Sequence, residues 1–496
     1  MVTNRAGHGP ALDEKNRKED SMIDFQLYGQ GGAKVFFLRP GDKAEGSLGA
    51  YLDRLDFEGK KGEMVYLPSP EGAGQVALGL GEKDLTLDDL REIFFDLGKL
   101  VREKKEGVVE VTMPDLGLCH RKTLMAVYEG LRQGDYRFSK KTDKKDDEVR
   151  LVVNYTPAGG KEDKLRDGLA RIRDMMDGVF FARDLVNERA NVIYPESLAR
   201  LAKEKLESVG VKVTVYEEEA IRDLGMEAYL AVARGAANRP RLIVMELANS
   251  DGPKTALVGK GLTYDSGGYC VKSPAGMATM HSDMGGAGSV IGTMYALGKS
   301  KAKCNVVGLV AACENMISGT AYKTGDIIDS MKGLTIEVVN TDAEGRLTLA
   351  DAVHYASNDL GADRVIDLAT LTGAVLSALG EEYTGAVTNA PDFYEEFQEA
   401  ADLAGEKVWA FPYDDLFKKL NDSDVADIKN SAGREAGSVT AGLFVGAFVK
   451  EDLPWIHLDI AGTAYRSKAR GYLPAMATGV HVKTLYQLLN PLVSCD

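Results

Sequence analysis

The sequence predicts an α/β protein with two domains, and three observations support this prediction. Short apolar segments typical of β-strands alternate with segments of helical periodicity along most of the 496 residues. Apolar residues make up 44% of the chain and charged residues 27%, which are ordinary values for a globular protein. Between two such alternating regions, Pro157-Ala-Gly-Gly160 marks a domain boundary, because proline and glycine interrupt both helices and strands.

The first region follows a polar segment. Residues 1–22 mix charges and lack an apolar signal core, which predicts a disordered tail, and residues 23–160 predict an N-terminal α/β domain. Within that domain, Thr86 and Asp89 predict a capping box at the start of a helix. Residues 161–190 predict a linking helix with one apolar face, formed by Leu165, Leu169, Ile172, Met176, Val179 and Phe180.

Residues 191–496 predict a second, larger α/β domain. Its candidate strands are nearly continuous apolar runs, which indicates a sheet buried on both faces. The predicted strands are 241–248, 255–260, 304–312, 334–340, 364–369 and 455–460, and helices are predicted near 285–297 and 346–357.

Charge and cysteine content restrict the partners and the compartment. The net charge is −15, and nucleic-acid binding requires a positive field, so nucleic acid is a poor candidate partner. No apolar run approaches the length of about 18 residues that a membrane span requires. The cysteines are odd in number and scattered, which favours a reducing, cytoplasmic environment without a disulfide framework: Cys119, Cys270, Cys304, Cys313 and Cys495.

The most informative segment is Asn340-Thr-Asp-Ala-Glu-Gly-Arg-Leu347, which follows an apolar run. Asp342 and Glu344 are two residues apart, so in an extended chain they point to the same side and can bind one ligand together. A second charged group lies upstream, at the edges of strand-like or glycine-rich segments: Lys260, Asp265, Lys272 and Asp283. Four acids and two lysines in such places predict a two-metal hydrolytic site without histidine ligands.

Metal binding explains why four acids would share one site. Unpaired carboxylates in one pocket repel each other, and two divalent ions would neutralise them. Carboxylates with a single amine suit Mn²⁺, Mg²⁺ or Zn²⁺, and two such ions about 3.5–4 Å apart can activate water and polarise a carbonyl. Lys260 would bind a metal as a neutral amine, whereas Lys272 would stay charged and stabilise an oxyanion. Arg346, at the start of a predicted helix, would hold a carboxylate, a phosphate or a bicarbonate.

Other catalytic patterns are missing from the sequence. It contains neither a Gly-x-Ser-x-Gly elbow nor a Gly-x4-Gly-Lys-Ser/Thr phosphate loop, which disfavours a serine hydrolase and a P-loop NTPase. The histidines form no metal-binding pattern, and we interpret His281 as structural. We interpret Asp351 as a helix-surface residue or a buried helper.

Five motifs follow one another in the second domain: Gly259-Lys-Gly-Leu-Thr-Tyr-Asp-Ser-Gly-Gly268, Glu314-Asn-Met316, Asn340-Thr-Asp-Ala-Glu-Gly-Arg-Leu347, Asp367-Leu-Ala-Thr-Leu-Thr-Gly373 and His457-Leu-Asp-Ile-Ala-Gly462. In this order they resemble the signature of the leucine aminopeptidase family, the M17 metallopeptidases. The resemblance extends from about residue 164 to residue 490.

The resemblance implies two divalent metal ions per subunit, Mn²⁺ or Zn²⁺, with Co²⁺ or Mg²⁺ as alternatives. The ligands of one metal, the readily exchanged one, match Lys260, Asp265, Asp283 and Glu344. Those of the other match Asp265, Asp342 and Glu344, with the backbone carbonyl of Asp342. Lys272 matches the catalytic lysine, and Arg346 matches the arginine that holds a bicarbonate as general base. The pocket for the first substrate residue matches Met280, Asn340, Ala343, Thr370 and Gly373.

The resemblance also implies an architecture and an assembly. The family has a small macro-like N-terminal α/β domain and a larger α/β catalytic domain with a central mixed sheet, and it forms a homohexamer. Ser318-Gly-Thr-Ala-Tyr-Lys-Thr-Gly325 departs from the common Ser-Gly-Asn-Ala-Tyr-Arg-Pro-Gly in a loop that meets neighbouring subunits. Tyr264 replaces the usual phenylalanine, and His281 stands where lysine is common.

We therefore predict a cytoplasmic, metal-dependent aminopeptidase that releases leucine-like or methionine residues from the N-terminus of peptides. Three alternatives remain open at this point: a cysteinylglycine dipeptidase of the same family, a two-metal phosphoesterase, and a non-catalytic binding protein. Loss of Lys272 or of a metal carboxylate would favour the last of these, and the sequence retains all of them.

Overall fold

The computed structural model describes residues 22–70, 72–141 and 150–492, which form two compact units. The smaller unit comprises the described residues up to Arg173 together with Ala469–Pro474, and the larger comprises Asp174–Lys468 and Ala475–Pro491. The division falls inside the segment 161–190 that the sequence predicts as a linking helix. The predicted tail, apart from its last residue, lies outside the described residues.

Among the described residues of the smaller unit, six strands form one sheet. In chain order the elements are β1 (Ile23–Leu27), β2 (Ala33–Leu38), α1 (Gly46–Arg54), β3 (Met64–Leu67), β4 (Gln75–Gly79), α2 (Leu87–Glu103), β5 (Val108–Thr112), α3 (His120–Gln133) and β6 (Leu151–Thr156). The strand order is β1-β6-β5-β2-β4-β3, with only β3 antiparallel to its neighbour. The capping box at α2 is confirmed, because Thr86 Oγ1 accepts from the Asp89 amide at 3.1 Å and Asp89 Oδ2 accepts from the Thr86 amide at 2.8 Å.

The remaining elements begin with a long helix in which the two units divide, and most of them belong to the larger unit. They are α4 (Glu162–Asn187), α5 (Pro195–Glu207), β7 (Lys212–Tyr216), α6 (Glu218–Asp223), α7 (Glu227–Ala233), β8 (Arg241–Ala248), β9 (Lys254–Asp265), α8 (Pro274–Met277), α9 (Gly285–Lys299), β10 (Asn305–Asn315), β11 (Ile327–Ile328), β12 (Ile336–Glu337), α10 (Gly345–Asn358), β13 (Arg364–Ala369), α11 (Gly373–Leu379), β14 (Thr384–Thr388), α12 (Pro391–Ala404), β15 (Val408–Ala410), α13 (Asp415–Lys418), β16 (Ile428–Lys429), α14 (Gly437–Gly446), β17 (Trp455–Asp459), β18 (Tyr465–Arg466), β19 (Met476–Ala477) and α15 (Val482–Leu489).

The larger unit is built on an eight-stranded sheet of order β15-β14-β17-β13-β9-β10-β8-β7. Its four middle strands, β17, β13, β9 and β10, are mutually parallel, so their carboxyl ends lie along one edge. Strands β8 and β14 run antiparallel to their neighbours β10 and β17, which confirms the predicted mixed sheet. In sheets of this kind ligands bind beyond the carboxyl ends of the strands.

One predicted strand is wrong over most of its length. Of residues 334–340, only Ile336–Glu337 form a strand, β12, in a small sheet with β11 and β16. The amides of Val339 and Asn340 donate instead to the side-chain oxygen of Asn430, at 2.9 and 3.3 Å. The Asn430 side chain thus takes the hydrogen bonds that a neighbouring strand would otherwise accept. The chain then turns towards Asp342.

The core of the larger unit lies around its sheet. Strands β9 and β10 are buried along nearly their whole length, and side chains of α7, α10 and α14 pack in the same apolar cluster. Within the part of the chain that the structure describes, no helix is long and apolar enough to cross a membrane.

The cysteines differ from one another. Cys270, Cys304 and Cys313 are free thiols, whereas Cys119 is disulfide-bonded. The prediction excluded a disulfide framework, and a single disulfide at Cys119 is not such a framework. A disulfide requires only two cysteines at a suitable distance, and an odd total does not prevent one pair.

Candidate active site

Strand β9 and helix α9 supply the first group of charged side chains. Lys260 lies within β9, Asp265 is its last residue, and Asp283 precedes α9; all three are buried. Helix α9 approaches the sheet closely at Gly286, where a Cβ atom would lie 2.9 Å from the Lys260 amide nitrogen and would collide with the Leu368 carbonyl. The glycines of α9 therefore allow Asp283 to reach the end of β9.

The loop before α10 supplies the second group. The amide of Asp342 donates to Asn340 Oδ1 at 2.9 Å, which turns the chain so that Asp342 and Glu344 follow one another into the site. The side-chain nitrogen Nδ2 of Asn430 donates to the backbone carbonyls of Asn340 and Ala343, at 2.7 and 3.3 Å. Hydrogen bonds within the loop and hydrogen bonds from Asn430 thus hold the loop in place before α10 begins.

The two lysines contact different carboxylates. Lys260 Nζ lies 2.9 Å from Asp283 Oδ2 and 2.9 Å from Glu344 Oε1. Lys272 Nζ lies 2.8 Å from Asp265 Oδ2 and also contacts Asp342 Oδ1. The structure therefore brings together all six charged residues that the sequence predicts for the metal site.

Three of the acids are close enough to share one cation. Ligand oxygens of Asp265, Asp342 and Glu344 all lie within 4.8 Å of one another. In addition, Glu344 Oε2 is buried without a hydrogen-bond partner among the described residues. Clustered carboxylate oxygens, one of them unsatisfied, fit hard divalent ions such as Mn²⁺ or Mg²⁺, and carboxylates also bind the borderline ion Zn²⁺.

The close approach of these charged groups also shifts their pKa values. Burial, together with the carboxylates of Glu344 and Asp283, raises the pKa of Asp265 to about 8. Burial likewise raises the pKa of Asp283, to about 6. For Lys260, burial alone would lower the pKa, but Asp283 and Glu344 outweigh it and raise the pKa. Further positive charge would be needed to ionise every acid and to release the proton of Lys260.

Arg346 lies in the first turn of α10, as predicted. Its side chain is buried, and its Nε has no hydrogen-bond partner among the described residues. Burial lowers the pKa of Arg346 to about 10, although Glu344 and Asp459 act in the opposite direction. An unsatisfied buried guanidinium is suited to a small anion.

The predicted pocket residues lie in three places. Thr370 donates to Asp283 Oδ1 at 2.7 Å, and its carbonyl accepts from Lys260 Nζ at 3.0 Å. Asn340 and Ala343 belong to the loop before α10, which Asn430 holds. Met280 is in the 3-10 turn that leads to Asp283, and Gly373, the first residue of α11, has open space where a Cβ would be.

Several further residues that support the site were not predicted as site residues. Asn315 donates to Asp265, Asn430 holds the loop before α10, and Asp459 accepts from the Leu371 and Thr372 amides. For Asn315 and Asp459 a signal existed, because both lie within the quoted motifs. For Asn430 the sequence offers none, since it is 90 residues from Asn340.

Two other interpretations can be compared with the structure. His281 is buried, and its Nε2 lies 2.7 Å from Arg189 Nη1, in keeping with a structural role. Asp351 is a buried residue with a supporting role and does not lie on the helix surface. Its carboxylate accepts from the amides of Tyr229 and Met331, both at 2.9 Å.

Comparisons with known proteins agree with this geometry. The family model described as "Cytosol aminopeptidase family, catalytic domain" matches residues 180–486, and the N-terminal domain model of the same family matches residues 40–145. The chain belongs to the cytosol aminopeptidase family. This is the M17 family of leucine aminopeptidases, and the enzyme is therefore a metal-dependent aminopeptidase, a hydrolase.

Relatives match nearly the whole chain. A probable cytosol aminopeptidase of Treponema denticola is 53% identical and covers 89% of this chain and 95% of its own length. One of Clostridium tetani is 46% identical, over 94% of this chain and 98% of its own.

Solved structures of the family are also similar. A tomato leucine aminopeptidase variant matches with a TM-score of 0.85 and 32% identity, over 96% of this chain and 97% of its own. The bottromycin maturation enzyme BotP, in complex with Mn, matches with a TM-score of 0.84 and 29% identity, over 95% and 99%. Both solved structures thus share the fold of this chain over nearly its whole length.

Proposed function

We propose that this aminopeptidase holds two divalent metal ions between its acidic side chains. The observation that carries the proposal is the cluster of Asp265, Asp342 and Glu344 oxygens within 4.8 Å, with one Glu344 oxygen buried and unsatisfied. One ion would have the ligands Lys260, Asp265, Asp283 and Glu344, and the other Asp265, Asp342 and Glu344. Mn²⁺ or Zn²⁺ is the proposed metal, with Co²⁺ or Mg²⁺ as alternatives, and the similar enzyme BotP, which was solved in complex with Mn, supports Mn²⁺.

The remaining charged residues would carry out the proton and charge chemistry. When bound, the ions supply a water of lowered pKa and polarise the scissile carbonyl. Lys272 would stabilise the negative charge that develops on the carbonyl oxygen, because its ammonium is only partly buried, with 18% of the side chain exposed. Arg346 would hold a bicarbonate as general base, and its unsatisfied Nε supports this role.

The substrate would be a peptide with a free N-terminus and a leucine-like or methionine first residue. Asp283 would help to bind the α-amine. The pocket for the first side chain would be formed by Met280, Asn340, Ala343, Thr370 and Gly373. The open space at Gly373 leaves room for a substrate side chain at this position.

We further propose a cytoplasmic homohexamer. Apolar residues on either side of the predicted contact loop 318–325 are exposed: Ile317 by 45% and Ile327 by 51%. Tyr269 and Val271 are also exposed, and the Tyr269 hydroxyl donates to the Ser318 carbonyl at 2.9 Å. We name Tyr269, Val271, Ile317 and Ile327 the loop patch. Neighbouring exposed apolar side chains favour burial against another subunit.

Hydrolysis of a leucine chromogenic amide by the purified full chain tests this function. The enzyme would be measured as purified, after chelation, and after adding back Mn²⁺, Zn²⁺, Co²⁺ or Mg²⁺ singly. We expect loss of activity on chelation and recovery with one ion. Activity with Cys-Gly but not Leu-Gly would support the dipeptidase alternative, and activity with a phosphate ester only would support the phosphoesterase.

Glu344→Ala tests the metal ligands directly. Because Glu344 is proposed to bind both ions, we expect this variant to retain less than one ion per subunit, as measured by elemental analysis after desalting. A Glu396→Ala variant, which changes an acid paired with Arg364 at the surface, should keep the full content. Full metal content in the Glu344 variant would contradict the ligand assignment.

A further inference from the structure

We propose that Asn315 is a positioning residue of the metal centre, whose side-chain amide ties Asp265 to the loop that presents Asp342 and Glu344. This inference rests on the proposed two-metal function and adds to it a residue that touches neither the substrate nor the ions. It concerns how the ligands are oriented, which sets the affinity for metal.

Asn315 and Asp265 end two neighbouring parallel strands. They are register partners at the carboxyl ends of β10 and β9. The register shifts between Cys313 and Glu314, so the bulge brings position 315 opposite position 265. Bulges commonly re-aim side chains beside active sites. This one directs the Asn315 amide towards the Asp265 carboxylate.

The Asn315 amide makes two hydrogen bonds to acceptors of different segments. Its Nδ2 donates to Asp265 Oδ1 at 2.8 Å and to the Thr341 carbonyl at 3.0 Å. The Tyr322 hydroxyl donates to the same carbonyl at 2.9 Å. One fully buried side chain therefore links the end of β9 to the residue that precedes Asp342.

These contacts fix the orientation of the Asp265 carboxylate. Its Oδ1 accepts from Asn315 and also from the Gly267 amide, at 2.8 Å each. Its Oδ2 faces Lys272 at 2.8 Å. Rotation of the carboxylate would break two hydrogen bonds, so the oxygen that remains for a cation is held in one direction.

A side-chain amide fits the chemistry of this position. A side chain between a carboxylate and a carbonyl must offer two N–H donors, and asparagine offers both from one nitrogen. The other amide atom, Asn315 Oδ1, is buried without a hydrogen-bond partner among the described residues. The hydrogen bonds that the structure shows for the Asn315 side chain therefore both come from its Nδ2.

A matched control exists in the same unit. Asn421 is buried, its Nδ2 donates to the Thr440 carbonyl at 2.9 Å, and its Oδ1 is also unsatisfied. In the part of the chain that the structure describes, the Asn421 side chain has no hydrogen bond to a proposed ligand. Replacing Asn421 therefore reproduces the loss of a buried asparagine without disturbing Asp265 or Thr341.

The experiment is titration calorimetry of the full chain with Mn²⁺ after chelation, comparing wild type with N315L, N315S and N421L. We expect N315L and N315S to bind Mn²⁺ about 10- to 100-fold more weakly than wild type, the usual effect of removing a ligand's hydrogen-bond partner. N421L should bind Mn²⁺ as wild type does. High Mn²⁺ concentrations should restore leucine-amide hydrolysis by the Asn315 variants.

Three results would overturn the inference. One is an unchanged Mn²⁺ dissociation constant in a folded N315L or N315S. Another is an equal weakening in N421L, and the third is the loss of near-UV circular dichroism in both Asn315 variants while N421L stays folded. A wild-type chain that binds no Mn²⁺ and no other ion would instead contradict the proposed function, so the two failures can be distinguished.

Discussion

Lys260 and Lys272 divide the four site carboxylates between them. Lys260 contacts Asp283 and Glu344, and Lys272 contacts Asp265 and Asp342. Lys260 is almost completely buried, while Lys272 keeps 18% of its side chain exposed. The difference in exposure supports different roles, a metal ligand for the former and a contact with substrate for the latter.

A Lys272→Met variant should keep its metal and lose turnover. Removing a charged group that stabilises an oxyanion lowers kcat by roughly 100- to 1000-fold. We expect this loss with leucine amide, while elemental analysis shows wild-type metal content. Lys299→Met, which changes a lysine paired with Asp177 at the end of α9, should leave kcat unchanged. Metal loss in the Lys272 variant would argue against its role.

A buried histidine should make stability depend on pH. Burial lowers the pKa of His481 to about 4, whereas an unfolded histidine titrates near 6.5. Between pH 4 and pH 6.5 the unfolded chain binds a proton at His481 that the folded chain does not bind. The contribution of His481 to the free energy of unfolding is therefore present above pH 6.5 and is lost as the pH falls towards 4. The linkage predicts a loss of about 2 kcal/mol between pH 7 and pH 5.

His481→Gln should remove that loss. Urea unfolding followed by tryptophan fluorescence reports on the larger unit, because Trp409 and Trp455 both lie there. The variant should be less stable at pH 7, since His481 has a φ of 65° that glutamine adopts less readily. Its free energy of unfolding should nevertheless depend less on pH, and an unchanged dependence would exclude this origin.

Residue type and spacing sufficed to predict the charged part of the site. Each acid and lysine lies at the edge of a strand-like or glycine-rich segment, so charge and local pattern point to the same place. Asn315 lies in a quoted motif but escaped prediction as a site residue because a neutral amide acts through geometry, and Asn430 lies in no quoted motif. Their partners, Asp265 and Asn340, are distant in sequence and carry no reciprocal signal.

At the scale of elements, α10 and β9 meet at a glycine. A Cβ on Gly345 would lie 2.5 Å from Cε and 2.7 Å from Nζ of Lys260. Both atoms belong to the flexible end of a side chain, so the helix could remain in place while the amine moves. The first turn of α10 at Gly345 therefore limits where the Lys260 amine, a proposed metal ligand, can lie.

Gly345→Ala should separate metal binding from stability. We expect a melting temperature close to wild type, because the added methyl group meets the flexible end of the Lys260 side chain rather than backbone. Mn²⁺ binding should weaken by roughly tenfold or more, as for a misplaced ligand. Gly98→Ala in α2, where a Cβ would meet nothing nearer than 3.4 Å, is the control and should bind Mn²⁺ normally. Normal binding by the Gly345 variant would show that Lys260 tolerates the methyl group.

Elements with strong periodicity were predicted well, and the short ones were not. The helix α10 matches its predicted position closely, and β9 contains the predicted strand 255–260 but continues to Asp265. Residues 338–340 read as strand because they continue an apolar run, but their amides pair with a side chain of another segment. Local pattern cannot reveal a partner of that kind.

At the scale of the whole molecule, the loop patch predicts assembly. Ile327→Asp should reduce the sedimentation coefficient or weaken association, because a charge would be buried at a subunit contact at a cost of several kcal/mol. Leu55→Asp changes an equally exposed apolar residue outside the patch, with 50% exposure, and should leave the assembly intact. A wild-type chain that sediments as a monomer would contradict the homohexamer.

The hydrogen bonds of Asn430 also bear on the order in which the site forms. Every proposed metal ligand precedes residue 347, yet the loop with Asp342 and Glu344 depends on an asparagine 90 residues beyond Asn340. During synthesis, the nascent chain would therefore expose all its ligands well before the loop could adopt its final shape. A fragment ending before Asn430 would carry the complete motif without the centre, so newly made chains should acquire metal only late in translation or after release.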